Sequence, residues 1–122
     1  MTEVQRHHTN ARMSKIVCHG GLVYLCGQTA NGSPSATSDI TAQTMEVLSR
    51  VDTLLAKVGS DRTRLLTVTI YLRDIADFAG MNAVWEAWLA GQQAGAPART
   101  TVEAALATES LRVEMTVVAA AG

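Results

Sequence analysis

Arg99 stands where a loop gives way to an extended run, in Pro97-Ala98-Arg99-Thr100-Thr101-Val102. A guanidinium in such a place can grip a planar carboxylate through two parallel hydrogen bonds, fixing its orientation as well as supplying charge. Thr101 shares a strand face with Arg99 and adds a hydroxyl. Glu103 shares that face too, but strand rise puts it more than about 10 Å away, so it is the weaker partner. His7 and His8 are adjacent and would point to opposite faces of a strand, while His19 stands alone. No carboxylate or cysteine completes a ligand spacing with them, so no metal site is expected. Cys18 and Cys26 fall in the two arms of one hairpin and read as reduced, half-buried small residues. Trp85 and Trp88 could stack on bases, but their helical spacing assigns them to a core or an interface.

These groups must be positioned by 122 residues, which fit a single domain over 1–122. Hydrophobic content of 48% against 17% charged residues describes a folding chain, not a disordered one. With only five aromatic residues the core must rest on Val, Leu, Ile, Ala and Met, and burial against sister subunits would supplement it. The formal net charge of -1 shows no basic excess, which argues against a nucleic-acid partner. The segment Met1 to Arg6 has no apolar signal character and no run approaches transmembrane length, so the expected location is the cytoplasm, with no membrane partner.

Two β-rich runs, Ser14 to His19 and Leu22 to Gly27, flank Gly20-Gly21 and read as a hairpin. Thr29 to Thr37 is a loop. Ser38-Asp39 offers a cap for a helix whose stripe is Ile40, Val47, Leu48, Val51, Leu54, Leu55 and Val58, with Gly59 at its left-handed end. Leu65 to Leu72 reads as a strand. A second helix begins at Asp74 to Asp77, with Phe78, Met81, Trp85, Trp88 and Leu89 facing the core. Gln92 to Pro97 reads as a loop, and Arg99 to Leu106 and Leu111 to Ala119 as the last strands. The order β-β-α-β-α-β-β predicts an α+β domain of two layers, with two helices packed on one face of a mixed sheet. The other face would lie bare in a monomer, which points to oligomerisation through the sheet.

The segment Pro97 to Glu103 resembles the signature of the Rid (reactive intermediate deaminase, or YjgF) family. Three further pieces agree in order and spacing: Gly21-Leu22-Val23-Tyr24-Leu25-Cys26-Gly27-Gln28, Asp77-Phe78-Ala79-Gly80-Met81-Asn82 with Trp85, and Arg112-Val113-Glu114-Met115. Arg12-Met13-Ser14 and His19 resemble its YoaB-like branch. The resemblance covers essentially the whole chain. It implies a chorismate-mutase-like fold and a homotrimer with sites in the clefts between subunits. The implied reaction is hydrolysis of reactive 2-imino acids, formed from enamines, to 2-keto acids and ammonia, with no cofactor.

Carried over residue by residue, the resemblance makes Arg99 the carboxylate clamp and Glu114 the holder of the attacking water. It adds Thr101, the backbone at Cys26 and Gly27, and Asn82 around the substrate. Archetypal members often carry cysteine at the position of Thr101, and a tyrosine that closes over the substrate at the position of Met13. Met13 can pack against a ligand but cannot donate a proton. Arg12 would add a second positive charge if it faced the site. A non-catalytic module retaining a carboxylate-bearing metabolite such as a 2-keto acid is therefore the alternative. An endoribonuclease would need a basic surface and paired acid and base histidines, and the sequence shows neither.

Overall fold

A computed structural model describes residues 3–122. The elements are β1 (Gln5–Thr9), β2 (Ser14–His19), β3 (Leu22–Leu25), α1 (Ile40–Lys57), β4 (Leu65–Leu72), α2 (Phe78–Ala90), β5 (Ala98–Glu103) and β6 (Val113–Ala120). They form one six-stranded sheet in the order β1-β2-β3-β6-β4-β5. Neighbours run antiparallel except β4 and β5, which are parallel and joined across α2. The α+β class and the mixed sheet with two helices are as the sequence predicts.

Local chemistry explains the element ends. Gly20 and Gly21, at φ 60 and 80, make the tight turn between β2 and β3. The Asp39 side chain accepts from the Ala42 amide and starts α1, and Gly59 at φ 74 follows its end. The Asp74 side chain caps a short 3-10 turn, Ile75–Asp77, and α2 begins only at Phe78.

Further features differ from the sequence reading, among them β5, which ends at Glu103 and not at Leu106. Strand β1 lies in the polar start: Gln-Arg-His-His-Thr carries no apolar alternation, and only its backbone ladder to β2 makes it a strand. Strand β3 ends at Leu25, because one extra residue around Cys26 and Gly27 separates the pair Tyr24–Val118 from the bridge Gln28–Met115. That extra residue is a β-bulge. Phe78 is 42% exposed and leaves the core stripe of α2, which is carried by Met81, Trp85 and Leu89.

The core lies between the helices and one sheet face. Val113, Met115, Val117 and Ala119 of β6 and Val68, Ile70 and Leu72 of β4 pack against Val47, Leu48, Val51 and Leu55 of α1. The intervening residues, including Glu114, Thr116, Tyr71 and Tyr24, point to the opposite face, which no element of the described residues covers. Gln43 fastens the layers at one end. It is 0% exposed, its amide donates to the carbonyls of Ala36, Ser38 and Ser110, and its oxygen accepts from the Arg112 amide at 2.8 Å. A buried carboxamide so fully engaged ties the start of β6 to α1. Gln43→Leu leaves those groups without partners and lowers stability by about 2–4 kcal/mol, read from the urea midpoint at unchanged m-value.

Candidate active site

The register of β5 against β4 pairs Val68 with Arg99 and Ile70 with Thr101. Val68 and Ile70 are core residues, so Arg99 and Thr101 lie on the helix-covered face, at the sheet edge. There Arg99 Nη1 donates to Asn82 Oδ1 at 2.7 Å. Its guanidinium carbon lies 5.7 Å from the Phe78 ring centroid and 5.6 Å from that of Trp85. One turn of α2 separates Phe78 from Asn82, so the helix supplies both an aromatic wall and the amide.

The contrast with other half-buried arginines is informative. Arg50 pairs with Glu46, Arg62 with Asp52 and the Trp88 carbonyl, and Arg112 with both oxygens of Asp77. Arg73 donates to the carbonyls of Leu106, Thr108 and Leu111. Among the described residues, Arg99 has neither a carboxylate nor a backbone carbonyl as partner. Two aromatic faces and one neutral amide hold its plane while leaving other N–H groups of the fork available. The Thr101 hydroxyl, two residues along, is buried and has no partner among the described residues. Glu103 is engaged elsewhere, accepting from the Ile75 amide at 2.9 Å and holding the turn that precedes α2.

Glu114 lies in a different place. It pairs with Tyr71 on the uncovered face of the sheet. Its carboxylate rests over Gly27, where an added Cβ would overlap Oε2. The bulge brings Gly27 there, and its missing side chain makes the space. Arg112, two residues before Glu114, is clamped to Asp77, whose carboxylate raises the guanidinium pKa and fixes the start of β6 against α2. Cys26 adjoins the group, its Sγ accepting from Gln28 Nε2 at 3.2 Å. Burial pushes the Cys26 thiol up, against the lowering effects of Gln28 and Lys15, and keeps it a neutral thiol near pH 7. Met13 is 46% exposed at the tip of the β1–β2 hairpin, where Asn10 Oδ1 accepts from the amides of Arg12 and Met13.

The expected site residues therefore fall into two groups. Arg99, Asn82 and Thr101 gather at the β5 edge, whereas Glu114, Gly27, Cys26 and Met13 belong to the β2-β3-β6 side. Arg99 and Glu114 are two strands apart and three residues out of register, roughly 14 Å between Cα atoms, on opposite faces. One chain does not bring them into one pocket. Two neighbours of these candidates were not legible locally: Phe78 reads as core by its helical spacing, and Tyr71 stands opposite Glu114 only through a cross-strand register that no local pattern carries. Gly27→Ala makes the Glu114 carboxylate swing by roughly an ångström or more. Because a flexible side-chain end yields rather than backbone, the melting midpoint stays within about 3 °C, and a crystal structure of the variant shows the displacement.

Comparisons with known proteins agree with this fold. The profile of the family described as Endoribonuclease L-PSP matches residues 4–121. A RutC family protein of Haemophilus influenzae is 39% identical over 118 residues, 95% of this chain and 97% of its own. The RutC family protein YoaB of Escherichia coli is 37% identical over 117 residues, 96% and 97% of the two chains. A 2-iminobutanoate/2-iminopropanoate deaminase of Salmonella typhimurium is 28% identical over 85 residues, 70% and 66% of the two chains. The crystal structure of NMB1025 from Neisseria meningitidis, a member of the YjgF protein family, superposes with a TM-score of 0.86 at 38% identity, covering 98% and 96% of the two chains. With its sheet order, its Arg99 and Glu114 segments and these relatives, the chain belongs to the Rid (YjgF, Endoribonuclease L-PSP) family, on its YoaB-like side.

Proposed function

We propose that this protein hydrolyses 2-imino acids, or their enamine tautomers, to 2-keto acids and ammonia, as a cytoplasmic homotrimer. The observation that carries the reading is the Arg99 guanidinium, held between Phe78 and Trp85 and lacking an anion among the described residues. A planar carboxylate is the partner such a fork fits. Asn82 keeps the fork oriented, and the free Thr101 hydroxyl offers a further hydrogen bond.

The second half of the site comes from another subunit. Arg99 and Glu114 lie on opposite faces of one sheet, so a shared cleft needs the Arg99 edge of one chain against the Glu114 face of the next. Exposed Tyr24 and Val102 on the uncovered face, at 41% and 39%, are apolar surface that such an assembly would bury. In that cleft the Arg99-bound carboxylate sets the imine carbon before a water held by Glu114. Water oxygen bonds to the carbon of the N-protonated imine, the C=N π pair moves to nitrogen, and Glu114 takes the proton that water loses. The carbinolamine then loses its C–N bond: Glu114 returns the proton to nitrogen, the hydroxyl proton is released and ammonia leaves, giving the keto acid. The neutral Cys26 thiol supports general-base hydrolysis over covalent attack. The formal charge of -1 and the partnered arginines support a small carboxylate over RNA as ligand.

Met13, which has no proton to give, keeps open a second reading in which the same cleft retains a 2-keto acid without turnover. Imines generated by an amino-acid oxidase separate the two, since retention alone leaves the rate of imine loss unchanged. Arg99→Ala weakens 2-oxobutanoate binding by roughly 10- to 100-fold in calorimetry, and Arg99→Lys recovers only part because it loses the fork. Equal affinity in wild type and Arg99→Ala sinks the clamp. Co-expressing Arg99→Ala with Glu114→Gln, each strongly impaired alone, restores about a quarter of wild-type sites by subunit mixing. No recovery in mixed assemblies means that one chain supplies both residues.

A further inference from the structure

The uncovered face beside Glu114 carries one more proton-handling group that this reading leaves without a role. Along one row across the strands lie Lys15 of β2, Cys26 and Gly27 at the bulge, Glu114 of β6 and Tyr71 of β4. Tyr71 is directly opposite Glu114, a placement that sets their Cβ atoms about 5 Å apart on the same face. Its neighbours Ile70 and Leu72 are 0% exposed on the helix side, so strand alternation sends the half-buried Tyr71 ring to the Glu114 side.

Chemistry selects Tyr71 from that row. A water aimed at an imine carbon must keep a lone pair free and both protons held, and one carboxylate oxygen holds only one of them. Lys15 has donors only. Cys26 accepts from Gln28 and is a weak acceptor besides. Met13, at the hairpin tip, offers only a thioether. A phenol both donates and accepts.

We propose that Tyr71 is a positioning residue for the hydrolysis, its phenol oxygen accepting the second proton of the water held by Glu114. Its own O–H is donated to the free oxygen of the Glu114 carboxylate, so the two residues turn one water lone pair toward the bound imine. The phenol gains and loses no proton in the cycle. The assignment rests on the imine-hydrolysis reading and adds to it a specific partner for Glu114.

Tyr71→Phe removes one oxygen and keeps the ring, so it isolates the hydroxyl. With imines generated in place, kcat falls about 10- to 100-fold in this variant. KM and the calorimetric Kd for 2-oxobutanoate stay within about twofold, because the Arg99 half of the site is untouched. A merely structural Tyr71 would move Kd and the mass of the assembly together with kcat. Tyr71→Phe combined with Glu114→Gln is no slower than Glu114→Gln alone, since both act on one water. Wild-type kcat in Tyr71→Phe, or losses that multiply in the double variant, overturn the assignment while leaving imine hydrolysis standing. A wild-type protein that turns over no imine overturns both.

Discussion

Strand β6 occupies the middle of a sheet that has helices on one face only, and its two-residue alternation governs the rest of the molecule. Val113, Met115, Val117 and Ala119 must face α1 and α2, because their burial supplies the center of the core. Glu114, lying between two of them, is thereby committed to the uncovered face. A slip of one residue would bury the carboxylate and expose the core row, a cost no local gain offsets. The Gln43 carboxamide and the Arg112–Asp77 pair both act on the residues that lead into β6, and so hold that register.

The same alternation in β5 has the opposite consequence. Arg99 faces the helices, yet it sits on an edge strand where the core runs out, so its charge keeps access to solvent while its plane rests between aromatic rings. A buried or half-buried cation is ordinarily matched by a carboxylate, as Arg62 and Arg112 are here. Leaving Arg99 without a carboxylate among the described residues costs some stability. Asn82 limits the cost, because a neutral amide satisfies one N–H without cancelling the charge.

Much of this was legible in residues taken locally. The Gly20-Gly21 hairpin, α1 from its Asp39 cap to Gly59, and β4 follow from turn chemistry, capping and periodicity. Strand β1 was not legible, since an edge strand of polar residues is stabilised by its neighbour's backbone and not by its own pattern. The bulge at Cys26 and Gly27 was hidden for a related reason: it exists only relative to β6. Phe78 has the spacing of a core residue, but α2 ends its buried stripe at Met81, and the ring turns to the Arg99 edge.

The sequence by itself determined the α+β class and the two helices and, through its motifs, the family, and it singled out Arg99 and Glu114 as candidates, because these reside in spacing and motif. Only the tertiary structure decided that the two groups stand on opposite faces of one sheet, that Arg99 lacks an anion among the described residues, and that Tyr71 stands opposite Glu114. Faces and partners are properties of strand register across residues distant in the chain, and register is set by packing the whole core at once.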